Sequence, residues 1–137
     1  MNFEKSCGAI VFKVENERPL FVIVEEKSGG CSFPKGHMEG NETEIETARR
    51  EIFEETGLNP VFIEGFSETE TYDPVEKPGT RKQVVYFLAE YSDATLFPQP
   101  SEINRILHLP YEEALSCLVH ENQRLILTAA YNFITHK

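Results

Sequence analysis

Residues 36–58 read GHMEGNETEIETARREIFEETGL, and this stretch decides the fold. Apolar residues recur in it at helical spacing, at Ile45, Ala48 and Ile52. Asn41 is the predicted N-cap, with Glu44 three residues on to close the cap. Gly57 fits the left-handed position that ends many helices. The stretch therefore predicts one helix that is entered from a loop and ends at a glycine.

Three carboxylates share one face of this predicted helix. Glu51, Glu54 and Glu55 stand at positions i, i+3 and i+4, where like charges disfavour a helix by about 0.2–0.5 kcal/mol per pair. Arg50 offsets part of that cost through Glu54 or Glu46, each four residues away, and a bound cation would offset more. Oxygen ligands are those that Mg²⁺ and Mn²⁺ prefer. The cluster is a candidate metal site, and a solvated glutamate-rich helix face is the alternative interpretation.

Nine positions of the stretch fit the longer pattern G-x5-E-x7-R-E-U-x-E-E-x-G-U, where U is a bulky aliphatic residue. They are Gly36, Glu42, Arg50, Glu51, Ile52, Glu54, Glu55, Gly57 and Leu58. The pattern resembles the signature box of the Nudix hydrolases. The resemblance implies an α/β protein, an α/β/α sandwich around a mixed β-sheet. It also implies a Mg²⁺-dependent pyrophosphohydrolase, with Mn²⁺ as a substitute metal.

The resemblance assigns roles to the residues that match the box. The implied metal ligands are the Gly36 carbonyl and the carboxylates of Glu51, Glu54, Glu55 and Glu102. Glu102 is included because a glutamate from a later loop often completes such sites. Arg50 matches the arginine that orients the carboxylates, so the predicted catalytic residues are Arg50, Glu51 and Glu54. Glu42 matches an auxiliary glutamate at the helix start. The general base stays open between these carboxylates and another loop.

A closer resemblance, to dinucleoside tetraphosphate hydrolases of the asymmetric type, extends beyond the box. It rests on the segments Phe33–His37, Gly65–Phe66, Lys77–Pro78 and Val85–Glu90. In that group an aromatic ring stacks on adenine and loop cations contact the phosphates. The resemblance therefore implies substrate contacts from Lys35 and Tyr72 and from Arg81 or Lys82. It implies water attack at phosphorus that cleaves diadenosine tetraphosphate to ATP and AMP.

Three other functions remain open on the same residues. A house-cleaning nucleoside triphosphatase and an RNA 5′-end pyrophosphohydrolase would share the box and differ in the base pocket. A non-catalytic nucleotide-binding module has no need for an intact carboxylate set, and every position of the set is filled here.

The composition and net charge of the chain argue against some classes of binding partner. The 137 residues carry a formal net charge of −10, which argues against a stable nucleic-acid complex and against binding to anionic membranes. No stretch is apolar for long enough to span a bilayer. We expect one Nudix domain over residues 1–137, a small nucleotide as the partner, and a monomer or homodimer. Cys7, Cys31 and Cys117 are odd in number and widely spaced, so we expect reduced thiols in a cytoplasmic protein.

The rest of the chain has strand and helix patterns on either side of the box. Strands are predicted at 6–14, 20–25, 60–66, 67–72, 83–90 and 103–109, and helices at 110–118 and 121–136. The first two strands form a predicted hairpin, with Gly8 marking close backbone approach. The last helix presents a predicted apolar face of Leu125, Ile126, Ala129, Ala130, Phe133 and Ile134.

Overall fold

The structure is a computed structural model that describes residues 2–27, 29–92 and 103–136. Its strands are β1 Asn2–Glu15, β2 Arg18–Glu26, β3 Cys31–Ser32, β4 Lys35–His37, β5 Val61–Phe62, β6 Glu68–Tyr72, β7 Thr80–Glu90 and β8 Ile103–Pro110. Its helices are α1 Glu44–Thr56, α2 Tyr111–Cys117 and α3 Glu121–Thr135. Among the described residues, none of the helices has the length and apolar character needed to cross a membrane.

The described strands form one mixed sheet. Its main path runs β3-β2-β1-β7-β5, while β4 pairs with β1, β6 with β7 and β8 with β2. β1 and β7 are parallel, from Asn2 opposite Thr80 to Phe12 opposite Glu90. The other pairs are antiparallel, including the predicted hairpin of β1 and β2. The predicted mixed sheet is therefore confirmed.

Helices cover both faces of this sheet because the strands bury side chains of alternating direction. On one face, Ile10 and Phe12 of β1 share a core cluster with Ala114 of α2 and Leu127 of α3. On the other face, Ala9 and Val11 pack with Ile52 of α1. The result is the predicted sandwich, with α1 on one side and α2 and α3 on the other.

The start of α1 lies later than predicted. Thr43, not Asn41, is the N-cap, and its hydroxyl accepts a hydrogen bond from the Glu46 backbone N–H at 3.1 Å. The Glu46 carboxylate accepts in return from the Thr43 N–H at 2.8 Å, which completes a capping box. Gly57 ends the helix at φ 76°, as predicted. Both candidate pairs have the right spacing, but Glu42 is bound to Arg50 and stays in the loop, so the helix begins after it.

Two other predictions fail locally. The strand predicted at 60–66 is reduced to Val61–Phe62, because Gly65 turns the chain at φ 97° before β6 begins.

The apolar face predicted for α3 is also partly wrong. Leu125 is 58% exposed, whereas Ile126, Leu127 and Ala130 are buried against the sheet. The helix therefore packs through a face rotated from the predicted one.

The prediction of three reduced thiols is wrong in this structure. Cys31 in β3 and Cys117 at the end of α2 are joined as a disulfide, while Cys7 is free and buried. The two partners lie 86 residues apart in the sequence, so only the fold brings them together. Burial raises the pKa of the Cys7 thiol to about 11, which keeps it protonated.

Candidate active site

The Glu51 carboxylate lies directly over the backbone of Gly36 in β4. A β-carbon at position 36 would overlap the carboxyl carbon and both carboxylate oxygens of Glu51. Glycine is therefore required here by close approach. The same packing places the backbone of β4 beside the carboxylates of α1.

A second glycine holds β4 against β1. Gly8 lies opposite Lys35, and a β-carbon on Gly8 would overlap the carbonyl oxygen of Pro34. The close backbone approach predicted at Gly8 is confirmed. It fixes Lys35, whose backbone N–H donates a hydrogen bond to the Glu55 carboxylate.

Glu55 is a buried carboxyl, with 7% of its surface exposed. Burial, followed by the charge of Glu51 and a hydrogen bond with it, raises the Glu55 pKa to about 9, against the effect of Lys35. Burial also raises the Glu51 pKa, and the Arg50 hydrogen bond opposes that rise. Of two carboxyl groups in contact, one is favoured to stay protonated, and Arg50 stabilises the charge on Glu51 and so leaves the proton on Glu55. Glu55 therefore holds a proton near neutral pH when no cation is bound.

Arg50 connects this pair to the other glutamates. Its Nε donates to Glu42 at 2.6 Å, and one Nη donates to Glu51 at 2.8 Å and to Glu54 at 3.2 Å. The other Nη donates to the His37 carbonyl at 2.8 Å. Hydrogen bonds from Arg50 hold the Glu42 pKa at about 2. The arginine thus sets the positions of three carboxylates at once.

The predicted metal ligands are brought together only in part. Glu51 and Glu55 meet beside Gly36, whereas Glu54 is exposed and contacts Arg50, and Glu102 lies outside the described residues. Within residues 2–27, 29–92 and 103–136, no set of three or more His, Cys, Asp or Glu side chains is arranged to hold a metal. The paired carboxyls and the adjoining backbone nevertheless form an oxygen-only donor set, which fits a hard divalent cation. Such a cation would take the place of the Glu55 proton.

A cleft of about 610 Å³ opens between β6 and the start of α3. Lys35 lines this cleft, and its positive charge lowers the pKa of both Glu55 and Glu70 against the effect of burial. The lysine therefore lies between the cleft and the carboxylate pair. Tyr72 also lines the cleft, with 37% of its surface exposed. Two of the predicted substrate contacts therefore face one cavity.

The other two predicted contacts are separated by the strand that carries them. Arg81 and Lys82 are neighbours on β7, so their side chains leave opposite faces of the sheet. Lys82 pairs with Tyr72 in the β6–β7 register, and its Nζ is 3.9 Å from a Glu4 carboxylate oxygen. Arg81 instead donates to both oxygens of Asp73, at 3.0 and 3.4 Å. Lys82 is on the face of Tyr72, and Arg81 is not.

Sequence reasoning missed Glu70 and Gln123, which also line the cleft. Glu70 is the one buried residue of β6, and burial raises its pKa against the charges of Lys35 and His120. Gln123 is buried in the first turn of α3. Residues 67–72 read SETETY, and their strand alternation places Glu70 on the same face as Tyr72. This alternation was the sequence signal that could have identified Glu70. No comparable signal marks Gln123.

Solved structures share this fold. An Ap4A hydrolase of C. elegans in a binary complex has a TM-score of 0.87 and 21% identity, covering 98% of this chain and 99% of that one. The NUDIX domain of Shewanella oneidensis NrtR, complexed with ADP ribose, has a TM-score of 0.78 and 15% identity over 98% of this chain and 90% of that one. These matches show that the chain has the Nudix fold.

The family follows from the sequence match. The model of the NUDIX domain matches residues 4–129, and the chain belongs to the NUDIX family. The predicted resemblance is thereby confirmed, and the chain is a Nudix hydrolase. Nudix hydrolases generally use divalent metal ions.

Two sequence relatives have names that record different substrates. The bis(5′-nucleosyl)-tetraphosphatase [asymmetrical] of Sus scrofa is 30% identical over 142 residues, covering 95% of both chains. The 8-oxo-(d)GTP phosphatase of Mycolicibacterium smegmatis is 33% identical over 133 residues, covering 90% of this chain and 40% of that protein.

Proposed function

We propose that this Nudix pyrophosphohydrolase cleaves dinucleoside polyphosphates in a Mg²⁺-dependent reaction, with diadenosine tetraphosphate giving ATP and AMP. The observation that carries the proposal is the position of Lys35. It lies between a carboxylate pair suited to a divalent cation and a cleft with room for a nucleoside. The 30% identity with the Sus scrofa protein over 95% of both chains supports this choice of substrate.

In the proposed reaction, a water oxygen forms a bond to phosphorus as the bond from phosphorus to the bridging anhydride oxygen breaks. Glu51 and Glu55, beside the Gly36 backbone, would hold Mg²⁺. When bound, Mg²⁺ supplies charge neutralisation at the phosphate oxygens and acidifies water. Arg50 keeps Glu51 in place. Glu54, whose side chain is 44% exposed and accepts one hydrogen bond from Arg50, would accept the proton of the attacking water.

The substrate contacts divide between charge and stacking. The Lys35 ammonium would bind a phosphate next to the carboxylates, and Lys82 would bind a more distal phosphate on the Tyr72 side of the sheet. The exposed Tyr72 ring would stack on a base at the cleft wall. Arg81 is left out of this arrangement because Asp73 holds it.

A second candidate is hydrolysis of an oxidised nucleoside triphosphate, which the 33% identity with the Mycolicibacterium smegmatis protein favours. A substrate panel separates the two proposals. Diadenosine tetraphosphate, 8-oxo-dGTP, plain nucleoside triphosphates and 5′-triphosphate RNA would be incubated with Mg²⁺, and the products resolved by ion exchange. We expect ATP and AMP in equal amounts from diadenosine tetraphosphate. Rapid turnover of a triphosphate with none of the dinucleotide would overturn the first proposal.

A further inference from the structure

Glu4 in β1 lies among the cations next to Tyr72. Its Oε2 accepts a hydrogen bond from Lys77 Nζ at 3.3 Å, and its Oε1 is 3.9 Å from Lys82 Nζ. Oε1 is also 3.9 Å from Nε2 of His37. Contacts of 3.9 Å are too long for hydrogen bonds. Glu4 Oε1 is buried and, among the described residues, has no hydrogen-bond partner. The carboxylate thus has one hydrogen-bonded oxygen and one oxygen that interacts with its neighbours through charge alone.

The sheet register places this carboxylate beside the cleft. Glu4 is opposite Lys82 of β7, and Lys82 is opposite Tyr72 of β6, so the three side chains lie in a row on one face. Tyr72 lines the cleft. Burial raises the pKa of Tyr72, and Glu4 is among the neighbouring carboxylates whose charge raises it further. The Lys77 side chain is 48% exposed and that of Glu4 is 31% exposed, so a ligand that passes Tyr72 can reach both.

The charges of this group limit how much negative charge it can balance. Lys77 and Lys82 contribute two positive charges, and Glu4 offsets one of them. In a dinucleoside polyphosphate every phosphate is bonded on both sides and carries one negative charge. The terminal phosphate of a nucleoside triphosphate carries about two, because the second ionisation of such a group lies near pH 6. Repulsion from Glu4 grows with each negative charge on the ligand.

We propose that Glu4 is a specificity-determining residue that disfavours a free terminal phosphate relative to an esterified phosphate beside Lys77 and Lys82. The carboxylate weakens the attraction of the two lysines for any phosphate, and the loss is about twice as large for a dianion as for a monoanion. A dinucleoside polyphosphate, which carries a nucleoside beyond its distal phosphate, therefore loses less affinity than a nucleoside triphosphate. The inference rests on the proposed function for a phosphate chain that reaches Lys82.

Equilibrium binding in EDTA tests this inference without hydrolysis. At about pH 8, calorimetry would compare ATP with its γ-methyl ester, which has the same chain and one charge fewer on the terminal phosphate. In Glu4→Gln we expect the ratio of ATP affinity to ester affinity to rise about fivefold over the parent ratio, the upper range for one exposed charge interaction. Glu4→Asp keeps the charge and should keep the parent ratio.

Glu15→Gln is the matched control, because Glu15 lies at the other end of β1 and pairs with Lys13 at 3.0 Å. Its ratio should equal that of the parent. Circular dichroism checks the folding of each variant. Glu4→Thr, a second neutral variant with a side chain that favours strands, tests the same point if Glu4→Gln does not fold.

An unchanged ratio in a folded neutral variant would overturn the inference, as would an equal rise in Glu4→Asp or Glu15→Gln. A loss of affinity for both ligands at a constant ratio would make Glu4 a structural partner of the lysines, and would also overturn it. A ratio that rises without cleavage of diadenosine tetraphosphate would sink the proposed substrate and support the role of Glu4. Cleavage with no change in the ratio would do the opposite.

Discussion

Arg50 Nε lies 2.6 Å from a carboxylate oxygen of Glu42, eight residues earlier in the chain, and this pair orients the whole guanidinium. With Nε held at the helix start, one Nη reaches the adjacent Glu51 and also Glu54, which lies one turn later in α1. The other is held by Glu42 and by the His37 carbonyl. A planar fork of donors makes these contacts together, which the single ammonium of a lysine does not.

Arg50→Lys should therefore lower activity far more than its unchanged charge suggests. We expect kcat for the proposed reaction to fall by about 10–100-fold, the usual cost of losing a group that orients metal ligands. Steady-state kinetics would be compared with Arg49→Lys. The guanidinium of Arg49 instead lies over the Phe62 ring, 4.9 Å from its centroid. Equal kinetics for the two variants would contradict the role of Arg50.

The capping box of α1 predicts a stability difference between two candidate caps. Thr43→Ala removes the hydroxyl that accepts from Glu46 N–H, at a cost of about 1 kcal/mol. That is a fall in Tm of roughly 3–4 °C for a chain of this length. Asn41→Ala, at the cap position predicted from sequence, should leave Tm within about 1 °C. Differential scanning calorimetry of both variants decides between the two positions.

The helix within residues 36–58 was predictable because its local sequence signals agree with the fold. The apolar spacing of Ile52 and its neighbours, the stop at Gly57 and the run of strands all follow from periods of 3.6 and 2. The choice of Thr43 over Asn41 was not predictable, because it depends on Glu42 being held by Arg50. The disulfide between Cys31 and Cys117 depends on how β3 and α2 meet, which no local pattern records.

The candidate site also combines features that sequence spacing predicts with features that only the packing of the fold determines. Which glutamates share a helix face follows from spacing alone, but Glu54 turning to Arg50 while Glu55 is buried depends on β4 packing over the helix. The opposite faces of Arg81 and Lys82 follow from strand alternation once β7 begins at Thr80. The predicted strand begins only at residue 83, and outside a strand this alternation does not hold.

That strand geometry predicts unequal effects for the two cations. Lys82→Ala should raise KM for diadenosine tetraphosphate by about tenfold with little change in kcat, because binding of a distal phosphate is largely uniform. Arg81→Ala should change KM by less than about twofold, since its partner is Asp73. Initial-rate kinetics on both variants test this. A larger effect from Arg81→Ala would mean that Asp73 releases it when substrate binds.

The disulfide predicts a redox-dependent stability. It closes a loop of 86 residues, and such cross-links typically contribute about 2–4 kcal/mol. Reduction should lower the parent Tm by roughly 7–14 °C. The double variant Cys31→Ser with Cys117→Ser should melt at the reduced temperature whether or not dithiothreitol is present. A parent that is indifferent to dithiothreitol, with three titratable thiols in the denatured protein, would show that the bond is not formed in solution.

Glu55 predicts an unusual pH dependence for the metal-free protein. Its folded pKa is raised from 4.5 to about 9, so between these values the native state binds more protons than the unfolded chain. Stability from this group is therefore fully present below about pH 4.5 and is lost as pH rises toward 9. Melts in EDTA should show the parent Tm falling across this range. Glu55→Gln cannot ionise, so its Tm should fall less, and Glu113→Gln, an exposed glutamate of α2, should follow the parent.

Mg²⁺ should reverse the order of these two proteins at pH 8. In the parent a bound cation takes the place of the proton, and at ten times its Kd it adds about 1.4 kcal/mol to the free energy of unfolding. That corresponds to a rise in Tm of roughly 3–6 °C. Glu55→Gln removes one ligand charge, so most of the rise should vanish and turnover should fall heavily, although its metal-free form is no less stable. A solvated glutamate face predicts no Mg²⁺ shift in either protein and intact activity in the variant. A parent Tm unmoved by Mg²⁺ at tens of millimolar, roughly the ceiling for a weak cation site, would therefore count against the metal site itself.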